Sequence, residues 1–204
     1  MIERRDLLAE LVPAVAPASM AALAKVGISV LEQLAPEMLE RPRPLNVTEL
    51  IDKKLALYGI FVAEGSWAEM GACHGLTFPS DSGVEILLCP ETWAAVFELG
   101  PKSNMARATF AHELSHAILH APTLRRKMRT AATPSLARRS DLRPFEDPEW
   151  QAWALGGQLL APQPMLQTLS THSLSEAAYV FRISEQMLRS HLRRLKMERR
   201  FPNP

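Results

Sequence analysis

Apolar residues recur at helical spacing over most of the chain and form compact strand-like runs in three places only. Val47 to Leu57 has helical spacing, with Leu50, Leu55 and Leu57 apolar and Asn46 or Thr48 available as a cap. YGIFV (58–62), GLTF (75–78) and VEILL (84–88) are bounded by Gly, Ser, Asp and Pro, and predict a small antiparallel sheet. PETWAAVFEL (90–99) returns to a helical pattern. GPKSN (100–104) interrupts it, and Ser103 or Asn104 is the expected cap of the next helix. That helix should run to about His120, because Pro122 disfavours helical geometry at Ala121. Phe110, Ala111, Leu114, Ala117 and Ile118 make it apolar nearly all round, as in a core helix.

Residues 122–144 read as an irregular basic loop, in which seven Arg and Lys face the single acid Asp141. Asp147-Pro148 then opens a helix cleanly, with Asp as N-cap and Pro at the first helical position, ending near Leu160 before Ala161-Pro162. SLSEAAYVFRISEQMLRSHLRRLKM (173–197) reads as helix, turn, helix. Ser173 and Glu176 form a capping box, and Ser184 caps the second helix.

Residues 7–39 are rich in Ala, Leu and Val. Glu3, Asp6 and Glu10 stand where a secretory leader would be basic, and Pro13, Pro17 and Lys25 break the apolar run. This predicts short helices of a soluble N-terminal extension, no membrane span and a cytoplasmic protein. RPRP at 41–44 reads as a linker. The expected organisation is an N-terminal helical extension over 1–43, a main domain over 44–165 and a helix-turn-helix-like helical subdomain over 166–204. The expected fold class is α+β, mostly helical with a small antiparallel sheet.

With 204 residues, 47% apolar and 22% charged, the composition is that of a soluble globular protein of one ordinary domain plus a small appendage. A net charge of +1 gives no global case for a nucleic acid or an acidic partner. Cys73 and Cys89 fit no CxxC spacing and read as two reduced thiols.

The chemistry concentrates at AHELSHAILH (111–120). Residues four apart on a helix lie one above the other, so His112 and His116 reach one ion from one turn. Imidazole nitrogen is a good zinc ligand. Glu113 is rotated about 100° from His112, poorly placed to ligate and well placed to act on water as a general base. This is the logic of HExxH. Burying these groups in an apolar helix is costly unless something binds them. His120 lies about 12 Å along the axis from His112, too far to share the ion, and is expected behind the ligands or as a cation at the helix C-terminus.

A third ligand must come from elsewhere, and DPEWQAWALGGQLL (147–160) points to Glu149. It sits in the first helical turn, with Ala152 and Gly156 on its face. Small residues there allow the helix to approach closely enough for a carboxylate to ligate. Tight packing is likewise the reason to keep Gly156 and Gly157 despite their poor helix propensity.

At this point the chain resembles the ImmA/IrrE family of metallo-endopeptidases over roughly residues 44–200. RATFAHELSHAILH (107–120) resembles the family's R-x-T-x-A-H-E-x-x-H-x-x-x-H segment. EWQAWALGGQLLAP (149–162) resembles its E-x-E/Q-A-N/D-x-F-A-A-x-L-L-x-P helix. The resemblance implies a zincin-like, gluzincin-like peptidase domain. It implies His112, His116 and Glu149 as metal ligands, Glu113 as base, Zn2+ as cofactor with Mn2+ as the alternative ion, and a cytoplasmic protein that cleaves a helix-turn-helix repressor in a stress response. Trp153 departs from the family's Asn or Asp. An acceptor there would fix a ligand histidine's tautomer, but indole only donates, so a backbone carbonyl, Asp141 or Asp147 must serve instead. Leu155-Gly156-Gly157 replaces Phe-Ala-Ala. Candidates for stabilising the oxyanion are His74, Tyr58, Tyr179 and His172.

Two readings of another class compete. Arg189, Arg193, Arg194 and Lys196 on the last helix would suit a DNA-binding regulator, with DNA as the partner. A metal-binding, antitoxin-like module without turnover would suit Trp153, but it has no need of Glu113 as a base.

Overall fold

The computed structural model describes residues 11–130 and 136–201, and the side chains of 127–129 are left aside. Glu3, Asp6 and Glu10 lie outside the described residues. In chain order, strand β1 (Leu11–Pro13) precedes helix α1 (Met20–Leu34). Strands β2 (Ile60–Glu64), β3 (Gly75–Pro79) and β4 (Val84–Leu88) follow, then helices α2 (Pro90–Val96), α3 (Pro101–Leu119) and α4 (Ala121–Arg129). Strand β5 (Leu136–Arg138), helix α5 (Pro148–Leu160) and the pair α6 (Leu174–Phe181) and α7 (Glu185–Leu195) complete the order. The fold is a mostly helical α+β arrangement. Among the described residues no helix is long and apolar enough to cross a membrane.

The expected antiparallel sheet is a mixed one. Its strand order is β2-β4-β3, with β3 antiparallel to β4 and β2 parallel to it. A short hairpin dictates only the β3/β4 pairing: Ser80 N–H donates to Gly83 O at 2.9 Å and closes the turn. The chain between β2 and β3 carries β3 past the central slot, which β4 then fills. Val84, Ile86 and Leu88 alternate inward and are buried, while Glu85 and Leu87 are half-buried on the other face. A second, two-stranded sheet joins β1 to β5 in antiparallel register, with Val12 opposite Ala137. The sequence pattern announces neither strand.

Three helix boundaries also differ from expectation. The stretch Val47–Tyr58 is helical, but its middle, Leu50–Lys54, widens to i→i+5 bonding and its last turn tightens. Helix α3 starts at Pro101 with Gly100 as its N-cap, and Ser103 is buried inside it. Proline suits this first position because its missing N–H would be unpaired there anyway. For the same reason Pro122 does not begin a loop. It sits in the first turn of α4, so the chain bends at His120 and restarts as a helix. The expected caps at Asp147, Ser173 and Ser184 are present, each accepting from a backbone N–H in the first turn.

One hydrophobic cluster runs through all three segments of the chain, joining Leu31, Leu34 and Met38 to Phe110, Leu155, Phe181 and Leu188. Helix α5 is its axis. It packs on α1, where Gly27 meets Gln158 and Leu155, on α3 through Gly156, and on α7 through Gly157. Cys73 is exposed and Cys89 buried, both as free thiols.

The α5–α7 contact generates two predictions. A Cβ at Gly157 would stand 2.7 Å from Cγ of the fully buried His191. Gly157→Ala should therefore destabilise the protein by about 1–2 kcal/mol despite alanine's better helix propensity, because overpacking outweighs it. A lowered urea midpoint checks this. Burial pushes the His191 imidazole down from its ordinary 6.5 to about 4, against the hydrogen bond to Ala161 O at 3.1 Å. Between those values the unfolded chain binds the extra proton, so stability is full above about pH 6.5 and falls as pH drops toward 4. The expected loss is roughly 3 kcal/mol over that window. Urea titrations at several pH values should show a shallower acid limb in His191→Gln.

Candidate metal centre

Helix α3 carries His112, Glu113 and His116 in its buried C-terminal half, with His112 and Glu113 each 8% exposed. Glu149 enters from the first turn of α5. Two local features aim it. Asp147 Oδ1 accepts the Glu149 N–H at 3.0 Å and starts the helix there. Gly156, two turns on, lets α5 press against α3, since even a Cβ at 156 would lie 3.2 Å from Ala111 O. The tight-packing reading of Gly156 and Gly157 holds for both.

The result is a triangle of residues in which Glu149 turns one carboxylate oxygen to each imidazole. His112 Nε2 and His116 Nε2 are 3.2 Å apart, Glu149 Oε2 is 3.2 Å from the first and Glu149 Oε1 is 3.2 Å from the second. A tetrahedral ion with bonds of about 2.0–2.1 Å has donor–donor edges of about 3.3 Å. These residues are thus a cluster able to hold a metal ion. Contact with His112 first, and His116 second, holds the Glu149 carboxyl well below the usual carboxylate range against its partial burial.

His120 lies behind this triangle. Its Nδ1 is 2.9 Å from His116 Nδ1 and its Nε2 is 3.1 Å from Gln151 Oε1. Gln151 Nε2 donates to Ala16 O at 2.9 Å and to Phe145 O at 2.8 Å. Carbonyls only accept, so the amide is oriented and Gln151 Oε1 must accept the His120 Nε2–H. Burial, above all, pushes the His120 imidazole down to about 4, so near neutral pH it carries one proton and is not the helix-end cation expected from its position. Its bare Nδ1 therefore accepts from His116 Nδ1–H, which leaves His116 Nε2 as the nitrogen that faces Glu149. At 3.2 Å from Glu149 Oε1, that nitrogen is joined to the carboxylate by a proton or a cation.

His112 is held differently. Its Nδ1 is buried with no hydrogen-bond partner among the described residues, and the Trp153 ring stacks on it with centroids 4.2 Å apart and planes 32° apart. Neither Asp141 nor Asp147 supplies the acceptor expected in place of the Trp153 side chain. Asp141 accepts from Ser140, and Asp147 is taken up by the α5 cap and by Arg139 at 3.0 Å. An N–H placed on His112 Nδ1 has no acceptor, which costs about 1–3 kcal/mol when buried. Stacking orients the ring without repaying that cost.

Glu113 sits beside the triangle in a cleft of about 370 Å³, walled on its apolar side by Val12, Val15, Leu76, Leu124 and Pro148. The Thr77 hydroxyl of β3 lies 2.7 Å from Glu113 Oε2 and 3.0 Å from Glu113 O, and donates to them. Oε1 has no hydrogen-bond partner among the described residues. Gly75 backs the same carboxylate closely, for a Cβ there would stand 2.6 Å from Glu113 Cγ.

The other sequence candidates stand apart from the cleft. Tyr179 is 85% exposed on α6, and Tyr58 lines a different cavity with Leu55 and Ile118. His74 is exposed near Trp67, with Nδ1 3.6 Å from Cys89 Sγ, and His172 is exposed before α6. On α7, Arg193 pairs with Glu198 at 3.2 Å and Arg189 approaches Glu185 at 4.0 Å. Sequence reading missed Gln151, Thr77 and the N-terminal stretch 12–15. Of these only Gln151 left a signal, as a polar side chain on an otherwise apolar stretch of helix. No protein-family model matches this chain, and no curated protein matches it.

Gln151→Leu should unlatch His120 and hence His116. Metal affinity should fall about tenfold to a hundredfold, read by competition with a chromogenic chelator. Proton NMR of the wild type should show a slowly exchanging His120 Nε2–H that this variant lacks.

Proposed function

We propose that this protein is a metal-dependent endopeptidase that hydrolyses a peptide bond in an extended segment of a protein substrate. The single observation that carries this reading is the convergence of His112, His116 and Glu149, each imidazole Nε2 3.2 Å from the other and from one Glu149 oxygen, beside a carboxylate, Glu113, that is not part of it. A purely structural site is normally closed by four protein ligands and has no use for a free base.

His112, His116 and Glu149 would hold the ion, with Zn2+ favoured by two imidazoles and one carboxylate and Mn2+ as the alternative. When bound, the cation supplies Lewis-acid polarisation and makes water acidic enough to react near neutral pH. The remaining work falls to the chain. Glu113 takes the proton from the attacking water and passes it to the leaving amine nitrogen. The Thr77 hydroxyl engages Oε2, so Oε1 is the proton-accepting atom. The outer edge of β3, whose Gly75, Leu76 and Thr77 line the cleft, offers backbone groups to a substrate strand. The apolar wall favours an apolar side chain next to the scissile bond. His74, Tyr58, Tyr179 and His172 are given no role, because none lines the cleft.

The resemblance of residues 107–120 and 149–162 to the ImmA/IrrE family extends the proposal to a zincin-like domain, a helix-turn-helix repressor as substrate and a cytoplasmic setting. The paired arginines of α7 add nothing to the DNA-binding alternative.

Metal analysis of the purified protein should find about one equivalent of a divalent ion, and incubation with a repressor encoded nearby should produce discrete fragments. Glu113→Gln should keep the metal and lower the cleavage rate by at least a hundredfold. Undiminished cleavage by that variant refutes the role given to Glu113, and a metal-free His112→Ala protein that still cleaves refutes the metal.

A further inference from the structure

RPRP (41–44), which the sequence pattern assigns to a linker, forms one wall of a second cavity of about 690 Å³. This cavity shares no lining residue with the metal cleft. Four arginines line it, Arg41, Arg43, Arg107 and Arg182, against the single acidic residue Glu98. None of the four forms an ion pair among the described residues.

Arg107 is the decisive member. It comes from α3, one turn before the metal-binding half, and only 6% of it is exposed. Its Nη2 donates to Leu45 O at 2.7 Å, while Nε is buried with no acceptor among the described residues. Burial first, and the neighbouring charge of Arg182 second, push it down to about 10, so it stays charged near neutral pH. A buried cation beside a second cation and paired with no acid is strongly unfavourable unless an anion joins them.

Arg182 makes the same point from the backbone. It ends α6 in the left-handed conformation, with φ of 51°, a position that glycine or asparagine fills at less cost. From that position its side chain lines the same cavity as Arg107. Val47, Val96, Phe97 and Val180 supply an apolar side to the same cavity, and Phe97 is 42% exposed.

We propose that this cavity binds a small molecule of about mononucleotide size through an oxyanionic group, phosphate or carboxylate, clamped by Arg107 and Arg182 with Arg43 at the mouth. Guanidinium matches either group bidentately, and the apolar side takes the remainder of the molecule. The site is independent of the peptidase reading and stands if that reading fails.

Calorimetric titration of the full chain, with chelator present so that no ion at His112 and His116 takes part, tests it. The probes are inorganic pyrophosphate, adenosine monophosphate and citrate, each at two salt concentrations. At least one should bind saturably at one equivalent. Arg182→Asn, which keeps the left-handed backbone, and Arg43→Gln should each weaken it tenfold or more, and Arg125→Gln, outside the cavity, should not. Preference for the phosphates over citrate identifies a phosphate ligand, and the reverse a carboxylate. Absence of saturable binding by all three, or equal weakening by Arg125→Gln, overturns the proposal.

Discussion

The close approach of α5 to α3 is the constraint on which the rest depends. Gly156 leaves the backbone of Ala111 exposed to contact, and a Cβ at 156 would already be in tight contact with Ala111 O at 3.2 Å. Because both helices are rigid rods, that contact also sets the height of Glu149 opposite His112 and His116. A carboxylate side chain is short, and a shift of one ångström between the helices would take it out of reach of an ion held by the imidazoles. The glycines weaken the helix locally. The buried cluster on every side of α5 outweighs that weakness, since helical stability here comes from packing rather than propensity.

The same helix orients the ligands from behind. Gln151 is anchored by two carbonyls, one in the loop before α5 and one at Ala16, ahead of α1. Through His120 it directs His116 Nε2 toward Glu149. The N-terminal stretch is thus tied to the centre twice, through this hydrogen bond and through Val12 and Val15 in the cleft wall. The two imidazoles are unequal as a consequence. His116 is oriented by a chain of hydrogen bonds, whereas His112 relies on the Trp153 ring, its Nδ1 having no hydrogen-bond partner among the described residues. At position 153 the indole offers stacking in place of a hydrogen-bond acceptor, which fixes a plane but not a proton.

Helix α3 carries two unrelated charge problems one turn apart. Around His112 and His116, imidazole nitrogens and the Glu149 oxygens converge as a cluster that could hold a metal ion. Around Arg107, guanidinium groups converge and need an anion. Each is unfavourable in the bare protein, and each is made by bringing distant segments against one buried helix. A fold selected for stability alone would fill both places with apolar side chains.

What the sequence alone determined was local. The spacing of His112, Glu113 and His116 follows from 3.6 residues per turn. The caps at Asp147, Ser173 and Ser184 follow from side chains that bond their own helix, and the hairpin of β3 and β4 follows from its short turn. Tertiary structure decided everything that needed two segments at once: the parallel pairing of β2, the β1–β5 strands, the helix after Pro122, the Gln151 relay and the arginine-lined cavity. Local pattern encodes which groups a segment presents and to which face. Which distant segment meets that face is settled by packing the whole core, and a relay such as Ala16–Gln151–His120–His116 exists only once that packing is complete.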